Sequence, residues 1–242
     1  METPVGRSPP TVSIVIPVLD DDVELARLLA ELDELSHLLN VSPEVIVVDG
    51  GSQHDSPDVT QRNGVKVVTT LANRGLQLDE GARKTTGSWI WFLHADTALD
   101  EQPLRYLHEL REPGWGRFDI QIGSTSTSTS TSKSSLLRLV AWFMNQRSRL
   151  TGISTGDQGI FVHRTLLLSI GGVPRQPLME DIELSKRLRK LSPPLAPLIS
   201  VMTSARRWER RGTMRSIVSM WHFRWRYWRG ADPEVLAREY YG

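Results

Sequence analysis

The sequence predicts an α/β fold, with a mostly parallel central sheet flanked by helices. Two observations carry this prediction. Within the first 50 residues, an apolar strand pattern, a helical leucine pattern and a second apolar strand pattern follow one another. Such a unit pairs its strands in parallel through a right-handed crossover. Further along, residues 89–93 form a short aromatic run without alternation, which is typical of a strand buried on both faces.

The first unit places acidic residues at the end of each strand. Residues 11–19 are apolar and β-branched and lead into Asp20, Asp21 and Asp22, of which Asp21 or Asp22 can cap the following helix. Seven leucines recur at helical spacing over residues 23–39, and a second strand is predicted at 44–48.

Asp49 follows this second strand and precedes Gly50 and Gly51, which let the backbone turn closely around a ligand. A carboxylate at this point can accept hydrogen bonds from a base or a ribose. The alternative is an ordinary turn aspartate before two glycines.

Arg74 lies at the start of the next helix. A third strand is predicted at residues 65–69, and Asn73, Arg74 and Gly75 begin a helix that runs to about residue 86, before Gly87. The N-terminus of a helix together with an arginine favours binding of a phosphate or a diphosphate.

His94 and Asp96 come directly after the central strand. As alternate residues of an extended chain they point the same way. In open α/β sheets, ligands bind beyond the carboxyl ends of the strands. The pair is therefore a candidate for holding a metal or carrying a proton, and the alternative is a solvated polar cap on the strand.

The middle of the chain predicts a helix at residues 102–111, a half-exposed strand at 115–122 and an amphipathic helix at 136–150. The apolar positions of the last helix include Leu137, Val140, Trp142 and Phe143. Residues 124–135 consist of serine and threonine apart from Lys133. They cannot form a core and predict a mobile loop, with a hairpin extension as the alternative.

Glu180 and Asp181 precede a helix predicted at residues 182–191. Before them come a glycine-rich loop (151–159), a strand (160–162) and a short helix (165–170); a last strand follows at 198–203. The helix dipole favours the ionised form of acids at a helix start. The pair is either an ordinary helix start or a general base that takes a proton from an attacking hydroxyl.

The composition excludes several classes of protein. The 242 residues contain no cysteine, which excludes disulfides, thiolate nucleophiles and cysteine-ligated metals. A formal net charge of +1 gives no overall field for nucleic acid. No apolar run approaches the ~20 residues that span a bilayer. Residues 1–10 lack the apolar segment of a signal peptide and predict a disordered lead-in.

The C-terminal stretch is basic and rich in tryptophan. Eight arginines and one acid lie between Ala205 and Gly230. A helix predicted over residues 214–228 carries one apolar stripe, formed by Met214, Ile217, Val218, Trp221, Trp225 and Trp228. Such a helix favours peripheral contact with a membrane. Packing on the protein's own core and a homodimer through residues 213–230 are alternatives, and nucleic acid is not favoured.

Four motifs occur in one order along the chain: SIVIPVLDD (13–21), VIVVDGGSQHD (45–55), WFLHADT (91–97) and GDQGIFV with LMEDIELSKRLRK (156–190). Together they resemble the family-2 glycosyltransferases, inverting enzymes with the GT-A nucleotide-diphospho-sugar transferase fold. The resemblance covers roughly residues 11–211. The variants LHADT, WGRFD, GDQGIF and TSARRWERRG are similar to one small bacterial subgroup.

The resemblance implies roles for the matched residues. Asp49 would recognise the base, and Asp181, paired with Glu180, would be the catalytic base. Asp96 would hold Mg²⁺ or Mn²⁺, with His94 replacing the first acid of the family's DXD motif. The expected nucleotide-sugar-binding residues are Pro17, Val18, Leu19, Asp21, Asp49, Arg74, His94, Ala95, Asp96, Gly156 and Asp157. Arg207-Trp208 resembles the end of a motif of processive members, but Ser204 replaces its glutamine.

The expected function is transfer of a sugar from a UDP- or GDP-linked donor to an acceptor hydroxyl or acid, with a lipid-linked acceptor as one candidate. We expect one catalytic domain at residues 11–212, a C-terminal helix at 213–242 and a cytoplasmic location, with peripheral attachment to the inner face of the plasma membrane as one alternative. The alternative is a catalytically impaired nucleotide-sugar-binding or regulatory protein, since His94 replaces an acid. A nucleotidyltransferase is disfavoured because residues 18–21 lack a glycine-rich basic loop.

Overall fold

A six-stranded sheet forms the centre of the molecule. The computed structural model describes residues 11–53, 64–123, 131–205 and 212–241. The strands are β1 (Val12–Val18), β2 (Glu44–Asp49), β3 (Val65–Thr69), β4 (Trp89–Phe92), β6 (Trp115–Gly116) and β8 (Phe161–His163). Their order in the sheet is β3-β2-β1-β4-β8-β6; β1–β4 are parallel, and β8 runs antiparallel to its two neighbours, β4 and β6. The predicted mostly parallel sheet is confirmed.

Helices cover both faces of this sheet. In chain order, the helices of the described residues are α1 (Asp22–Leu39), α2 (Arg74–Lys84), α3 (Glu101–Glu109), α4 (Thr131–Thr151), α5 (Arg164–Ser169), α6 (Glu180–Arg189), α7 (Thr213–Trp228) and α8 (Pro233–Tyr241), of which α1, α2, α3, α5 and α6 pack on this sheet. A 3-10 turn spans Gly156–Gln158. The predicted ends of most elements differ from these bounds by one to three residues.

The residues of β1 explain why both faces need a cover. Ile14 and Ile16 pack in one apolar cluster with leucines of α1 and α3. Val15 points the other way and packs in a second cluster with residues of α2, α5 and α6. Successive side chains of a strand face opposite sides, so an all-apolar strand requires helices on each side.

A second, three-stranded sheet lies beside the first, in the order β5-β9-β7. Its strands are β5 (Thr97–Ala98), β7 (Asp119–Gly123) and β9 (Ser200–Ser204). A third apolar cluster joins this sheet to α4 and α7 through Ile120, Leu137, Val140, Ile217 and Met220. This cluster fixes α4 and α7 on the same side of the molecule.

The single half-exposed strand predicted at residues 115–122 is wrong. The chain leaves the first sheet after Gly116 and enters the second at Asp119, with Trp115 and Phe118 fully buried. A Cβ on Gly116 would lie 2.2 Å from the Leu195 carbonyl oxygen, so only glycine permits this crossing. The alternation in the sequence comes from two short strands read as one.

The serine/threonine loop predicted at residues 124–135 is wrong in its second part, because α4 already begins at Thr131. Residues 124–130 lie outside the described residues. On α4, Leu137 and Val140 are buried, whereas Trp142 and Phe143, predicted on the same apolar face, are exposed.

The C-terminal stretch forms two helices rather than the single helix predicted at 213–242. Gly230 takes a positive φ of 89° between them, which ends α7. Tyr227 attaches α7 to α6, since its hydroxyl lies 3.2 Å from a Glu183 carboxylate oxygen. Within the described residues, no helix is both long and apolar enough to span a bilayer. The predicted lead-in at 1–10 and the Arg207-Trp208 pair lie outside the described residues.

Candidate active site

The carboxyl ends of β1, β2 and β4 meet at one edge of the sheet. Val18 and Asp49 are paired in register, and the Gly50 amide donates to the Val18 carbonyl over 2.9 Å. The side-chain amide of Gln77, on α2, donates to the Val18 and Val48 carbonyls over 2.9 and 2.8 Å. This buried clamp fixes the ends of β1 and β2 against the start of α2.

A cavity of about 410 Å³ lies beyond this edge. It brings together seven of the predicted site residues: Asp21, Arg74, Asp96, Gly156, Asp157, Glu180 and Asp181. Helices α7 and α8 supply the opposite wall, the helical wall, with Met220, Phe223, Arg224, Tyr240 and Tyr241. These wall residues were missed by the sequence analysis, which predicted neither α8 nor where α7 packs.

The other predicted residues lie around the cavity rather than on its wall. Pro17 and Val18 belong to β1, Leu19 is about half exposed, and Ala95 is buried. Asp49 is held by Ser52, whose amide and hydroxyl donate to Asp49 Oδ1 over 3.0 and 2.6 Å. No described residue donates to the second oxygen of Asp49.

Asp21 takes the position predicted for a helix cap but does not act as one. It precedes α1, yet its side chain makes no capping hydrogen bond. The carboxylate instead lines the cavity. This position is unusual for an N-cap aspartate, whose side chain ordinarily accepts from the first turn.

Arg74 is the centre of a charged cluster at the sheet edge. Its Nε lies 3.1 Å from Glu180 Oε1, and its Nη2 lies 3.1 Å from His94 Nδ1. The same imidazole nitrogen lies 3.1 Å from Asp157 Oδ1. Although burial lowers it, the pKa of Arg74 is raised above its ordinary value by Glu180, Asp157 and Asp181. The guanidinium therefore stays charged.

Gly156 permits the close packing of this cluster. A Cβ at this position would lie 2.7 Å from both Arg74 Nη2 and His94 Nε2. Since real Cβ atoms do not approach so closely, any other residue would displace the arginine or the imidazole. The glycine-rich loop predicted from the sequence thus has a specific steric role here.

Glu180 is almost fully buried, with 3% of its surface exposed. Burial raises the pKa of Glu180 to about 7; Asp181 and Asp157 add to this rise, and Arg74 opposes it. The carboxyl group faces Arg74 as an ion-pair partner. Its neighbour Asp181 is more accessible and lines the cavity.

Asp181 is held by two backbone amides. Gly156 N donates to its Oδ2 over 2.9 Å, and Ile182 N donates to its Oδ1 over 2.7 Å. Met179, two residues earlier, takes a positive φ of 64°, which is rare outside glycine and asparagine. This backbone turn directs Glu180 and Asp181 to the cavity, and it is the kind of strain found at functional sites.

The cavity could hold a divalent cation only if a bound substrate supplied some of the metal ligands. Five carboxylates line it, against the guanidiniums of Arg74 and Arg224. Within the described residues, however, no three histidine or acidic side chains are close enough to hold a metal together. Mg²⁺ is commonly bound by one or two carboxylates plus substrate phosphates. Asp96 fits this mode, because no described residue forms an ion pair or hydrogen bond with its side chain.

The model of glycosyl transferase family 2 matches residues 13–160 of the chain. Among curated proteins, an undecaprenyl-phosphate 4-deoxy-4-formamido-L-arabinose transferase from Klebsiella pneumoniae (strain 342) is 29% identical over 158 residues. The match covers 61% of this chain but only 46% of that protein. The chain therefore spans less than half the length of this relative.

Solved glycosyltransferase structures share the fold at low sequence identity. The mannosyltransferase PcManGT from Pyrobaculum calidifontis, in complex with GDP-Man and Mn²⁺, is 16% identical, with a TM-score of 0.58 over 81% of this chain and 57% of that chain. S. aureus TarS 1-349 in complex with UDP is 12% identical, with a TM-score of 0.60 over 80% and 60%. The GT-A fold is thus confirmed. Since the family model matches more than half of the residues, the chain belongs to glycosyl transferase family 2.

Proposed function

We propose that this protein is an inverting glycosyltransferase, which moves a sugar from a nucleotide-diphospho-sugar to an acceptor bound in the same cavity. One observation carries the proposal: Asp96, from the strand end, and Asp181, from the start of α6, line a single cavity of about 410 Å³. A donor held by the first and an acceptor activated by the second would meet within it.

The nucleotide would bind along the ends of β1 and β2. Ser52 fixes Asp49 Oδ1, which leaves the other carboxylate oxygen for a base or ribose donor. Pro17, Val18 and Leu19 would form the adjoining backbone contact. Both PcManGT and TarS have been solved with nucleotide ligands, GDP-Man and UDP, which supports a GDP- or UDP-linked donor.

The diphosphate would lie toward Arg74 and Asp96. Five carboxylates in the cavity wall repel an anionic donor, so positive charge is needed for the diphosphate to approach. We propose that Asp96 holds a divalent cation, Mg²⁺ or Mn²⁺, which would neutralise the diphosphate as it leaves. His94 Nδ1 lies 3.1 Å from both Arg74 Nη2 and Asp157 Oδ1, so His94 would contact phosphate through Nε2 and be at most a secondary metal ligand.

Arg74 would stabilise the leaving group. Its ion pair with Glu180 orients the guanidinium, and the pKa rise that Glu180 and neighbouring acids cause keeps it protonated. A preorganised charge near the bond that breaks lowers the barrier without reorganisation during the reaction. Glu180 would thus act as a positioning residue.

Asp181 would be the base of a single displacement. An acceptor oxygen forms the new bond to the anomeric carbon, while the bond to the diphosphate oxygen breaks and leaves its electron pair on the nucleoside diphosphate. The proton of an attacking hydroxyl passes to Asp181. Gly156 and Ile182 hold the carboxylate through their amides, as general-base geometry requires.

We also propose that α4 and α7 contact a membrane surface. Neither helix contains an acidic residue, and both pack on the same apolar cluster. Their exposed large apolar side chains are Leu136, Leu139, Trp142, Phe143, Leu150, Met214, Val218, Trp221, Trp225 and Trp228. Aromatic and basic side chains together suit an anionic lipid interface. The lipid-phosphate substrate named for the Klebsiella relative supports a lipid-linked acceptor.

Donor hydrolysis tests this proposal before an acceptor is known. We would incubate the protein with a panel of UDP- and GDP-sugars and follow the released sugar by NMR. The account predicts that the first sugar formed has the inverted anomeric configuration. Asp181→Asn should lower the rate by about 100- to 10,000-fold, as expected for a lost general base.

Glu183→Gln is the matched control, because Glu183 belongs to the same helix turn but pairs with Arg187 and Tyr227. It should retain most of the rate. A retained anomeric configuration, or an Asp181→Asn variant as active as the wild type, would contradict the proposal.

A further inference from the structure

Two arginines lie near Asp181, and one of them is on the cavity wall. Arg224, on α7, lines the cavity next to Met220 and Phe223. Arg147, on α4, lies close enough that the charge of Arg224 lowers its pKa. Asp181 acts on the pKa of both arginines. The two guanidiniums and the candidate base thus form one electrostatic group.

Arg147 is incompletely satisfied. Its Nη1 donates to the Ile153 carbonyl over 3.2 Å, but its Nη2 is buried and has no hydrogen-bond partner among the described residues. The pKa of Arg147 is lowered to about 10, mainly by burial and then by the charge of Arg224; Asp181 opposes this shift, and Arg117 adds to it. A buried guanidinium nitrogen without an acceptor is costly.

Arg224 has no hydrogen-bond or ion-pair partner among the described residues. Burial lowers its pKa, and Asp181 only partly restores it. Asp181 cannot neutralise both arginines, because one carboxylate faces two charges and each of its oxygens already accepts from a backbone amide.

Several other partly buried arginines among the described residues have an acidic partner. Arg74 meets Glu180 at 3.1 Å, Arg149 meets Asp119 at 2.6 Å, and Arg117 also meets Asp119. Arg147 and Arg224 therefore differ from the rule that buried charges have a partner. A missing partner on the wall of a substrate cavity is explained if the substrate itself supplies the anion.

We propose that Arg224 binds an anionic group of the acceptor, a phosphate or a carboxylate, and holds it beside Asp181, with the nearby charge of Arg147 adding to the attraction. This inference rests on the proposed function and names the substrate class of its acceptor side. The donor diphosphate has a separate cation, Arg74, at the sheet edge. An acceptor with one anionic group would neutralise the positive charge of Arg224 on the helical wall. A neutral sugar hydroxyl would leave that charge unpaired.

Binding of a phosphate monoester tests the site directly. We would titrate the full chain with farnesyl phosphate, farnesol and inorganic phosphate by calorimetry at constant ionic strength, and with UDP plus Mn²⁺ in parallel. The wild type should bind farnesyl phosphate and not farnesol. Arg224→Gln should weaken this binding by about 10- to 100-fold, as expected for a lost charge-assisted hydrogen bond, and Arg224→Lys should recover part of it.

Arg215→Gln is the matched control, since it removes the same charge from an exposed position of α7. It should bind farnesyl phosphate as the wild type does, and UDP affinity should be unchanged in all variants. Circular dichroism and thermal unfolding would check that each variant is folded. Binding of inorganic phosphate as well would indicate a soluble anionic acceptor, and binding of farnesyl phosphate alone a lipid-borne one.

Three results would overturn the inference. The wild type could bind neither farnesyl phosphate nor inorganic phosphate, Arg224→Gln could bind farnesyl phosphate as tightly as the wild type, or Arg224→Gln could lose UDP binding as well. The UDP titration shows whether only the anionic-acceptor inference fails or the proposed transferase function fails too. If UDP binds and the phosphates do not, the transferase proposal stands without an anionic acceptor. If UDP does not bind, the donor site itself is wrong.

Discussion

The two walls of the cavity differ in whether their charged side chains are paired within the protein. At the sheet edge, Arg74 is paired with Glu180, and His94 contacts both Arg74 and Asp157. On the helical wall, Arg224 has no hydrogen-bond or ion-pair partner among the described residues, and the nearby Arg147 keeps a buried nitrogen unsatisfied. The charged groups of the sheet edge are thus paired within the protein, whereas Arg224 on the helical wall is not. This difference supports our proposal that the donor binds at the first wall and the acceptor at the second.

The strongest test of this comparison is to replace one arginine of each wall and measure the free energy of unfolding. Arg74→Ala leaves Glu180, which is 3% exposed, without its cation. Because the Arg74 side chain is 27% exposed, we expect a loss of about 2–3 kcal/mol in the free energy of unfolding, below the ~3–5 kcal/mol of a fully buried pair.

Arg224→Gln should leave the free energy of unfolding unchanged or raise it. Burial lowers the pKa of Arg224, so its charged form is disfavoured in the folded protein. Urea denaturation at pH 7 would measure both variants. Arg105→Ala, which breaks an exposed pair with Glu101, is the reference for a surface ion pair, with at most about 0.5 kcal/mol. Equal losses for Arg74→Ala and Arg224→Gln would remove the distinction between the walls.

The pH dependence of stability sharpens the account of the sheet edge. A glutamate in the unfolded chain has a pKa of about 4.3, and burial raises the pKa of Glu180 to about 7. The folded state therefore binds the extra proton between these values, and stability falls as pH rises through this window. Compared with Glu180→Gln, the wild type should lose unfolding free energy between about pH 4.3 and 7.

Glu44 supplies a control of opposite sign, at the amino end of β2. Although burial raises it, hydrogen bonds from Lys66, Ser13 and Thr86 lower the pKa of Glu44 to about 2. Its stabilising contribution is present above about pH 4.3 and is lost as pH falls toward 2. A Glu44→Gln variant should therefore differ from the wild type less at pH 2 than at pH 7. If Glu180→Gln followed this same direction, the raised pKa would be wrong.

The smallest expected effect concerns the outer surface of the helical wall. Trp221 and Trp225 are 73% and 56% exposed on α7. Replacing both with serine should weaken binding to phosphatidylglycerol vesicles by about tenfold or more, because two aromatic anchors are lost from the interface. Leu38→Ser, at an exposed site on α1, should have no effect in the same sedimentation assay. Unchanged binding by the double variant would argue against membrane contact through α7.

The sheet edge was largely predictable from sequence, and the helical wall was not. The strands and their terminal acids are local patterns, so Asp49, Asp96 and Asp181 could be selected from their position at the ends of elements. Parallel strands then bring their carboxyl ends to one edge by topology alone. The pairing of Arg74 with Glu180 was not predictable, because these residues are 106 positions apart in the sequence and belong to different helices.

The role of α7 was predicted only in part. Its stripe of apolar residues was visible, but the sequence could not tell which side packs on the protein. Ile217 and Met220 pack on the third cluster, while the tryptophans of the stripe stay exposed. Arg224 is one of eight arginines between Ala205 and Gly230, and the residues next to it in the sequence did not indicate that it lies in the same cavity as Asp181. Tertiary contacts decide both points.

Nucleotide binding is the most direct test of the central claim, that one cavity holds donor and acceptor. We would titrate the wild type and Asp96→Ala with UDP, GDP and their sugar conjugates by isothermal calorimetry, with and without Mn²⁺. The account predicts binding of one nucleotide class that depends on Mn²⁺ and is lost in Asp96→Ala, with both proteins folded. Absence of binding by folded wild-type protein with Mn²⁺ present, or binding that Asp96→Ala leaves intact, would contradict it.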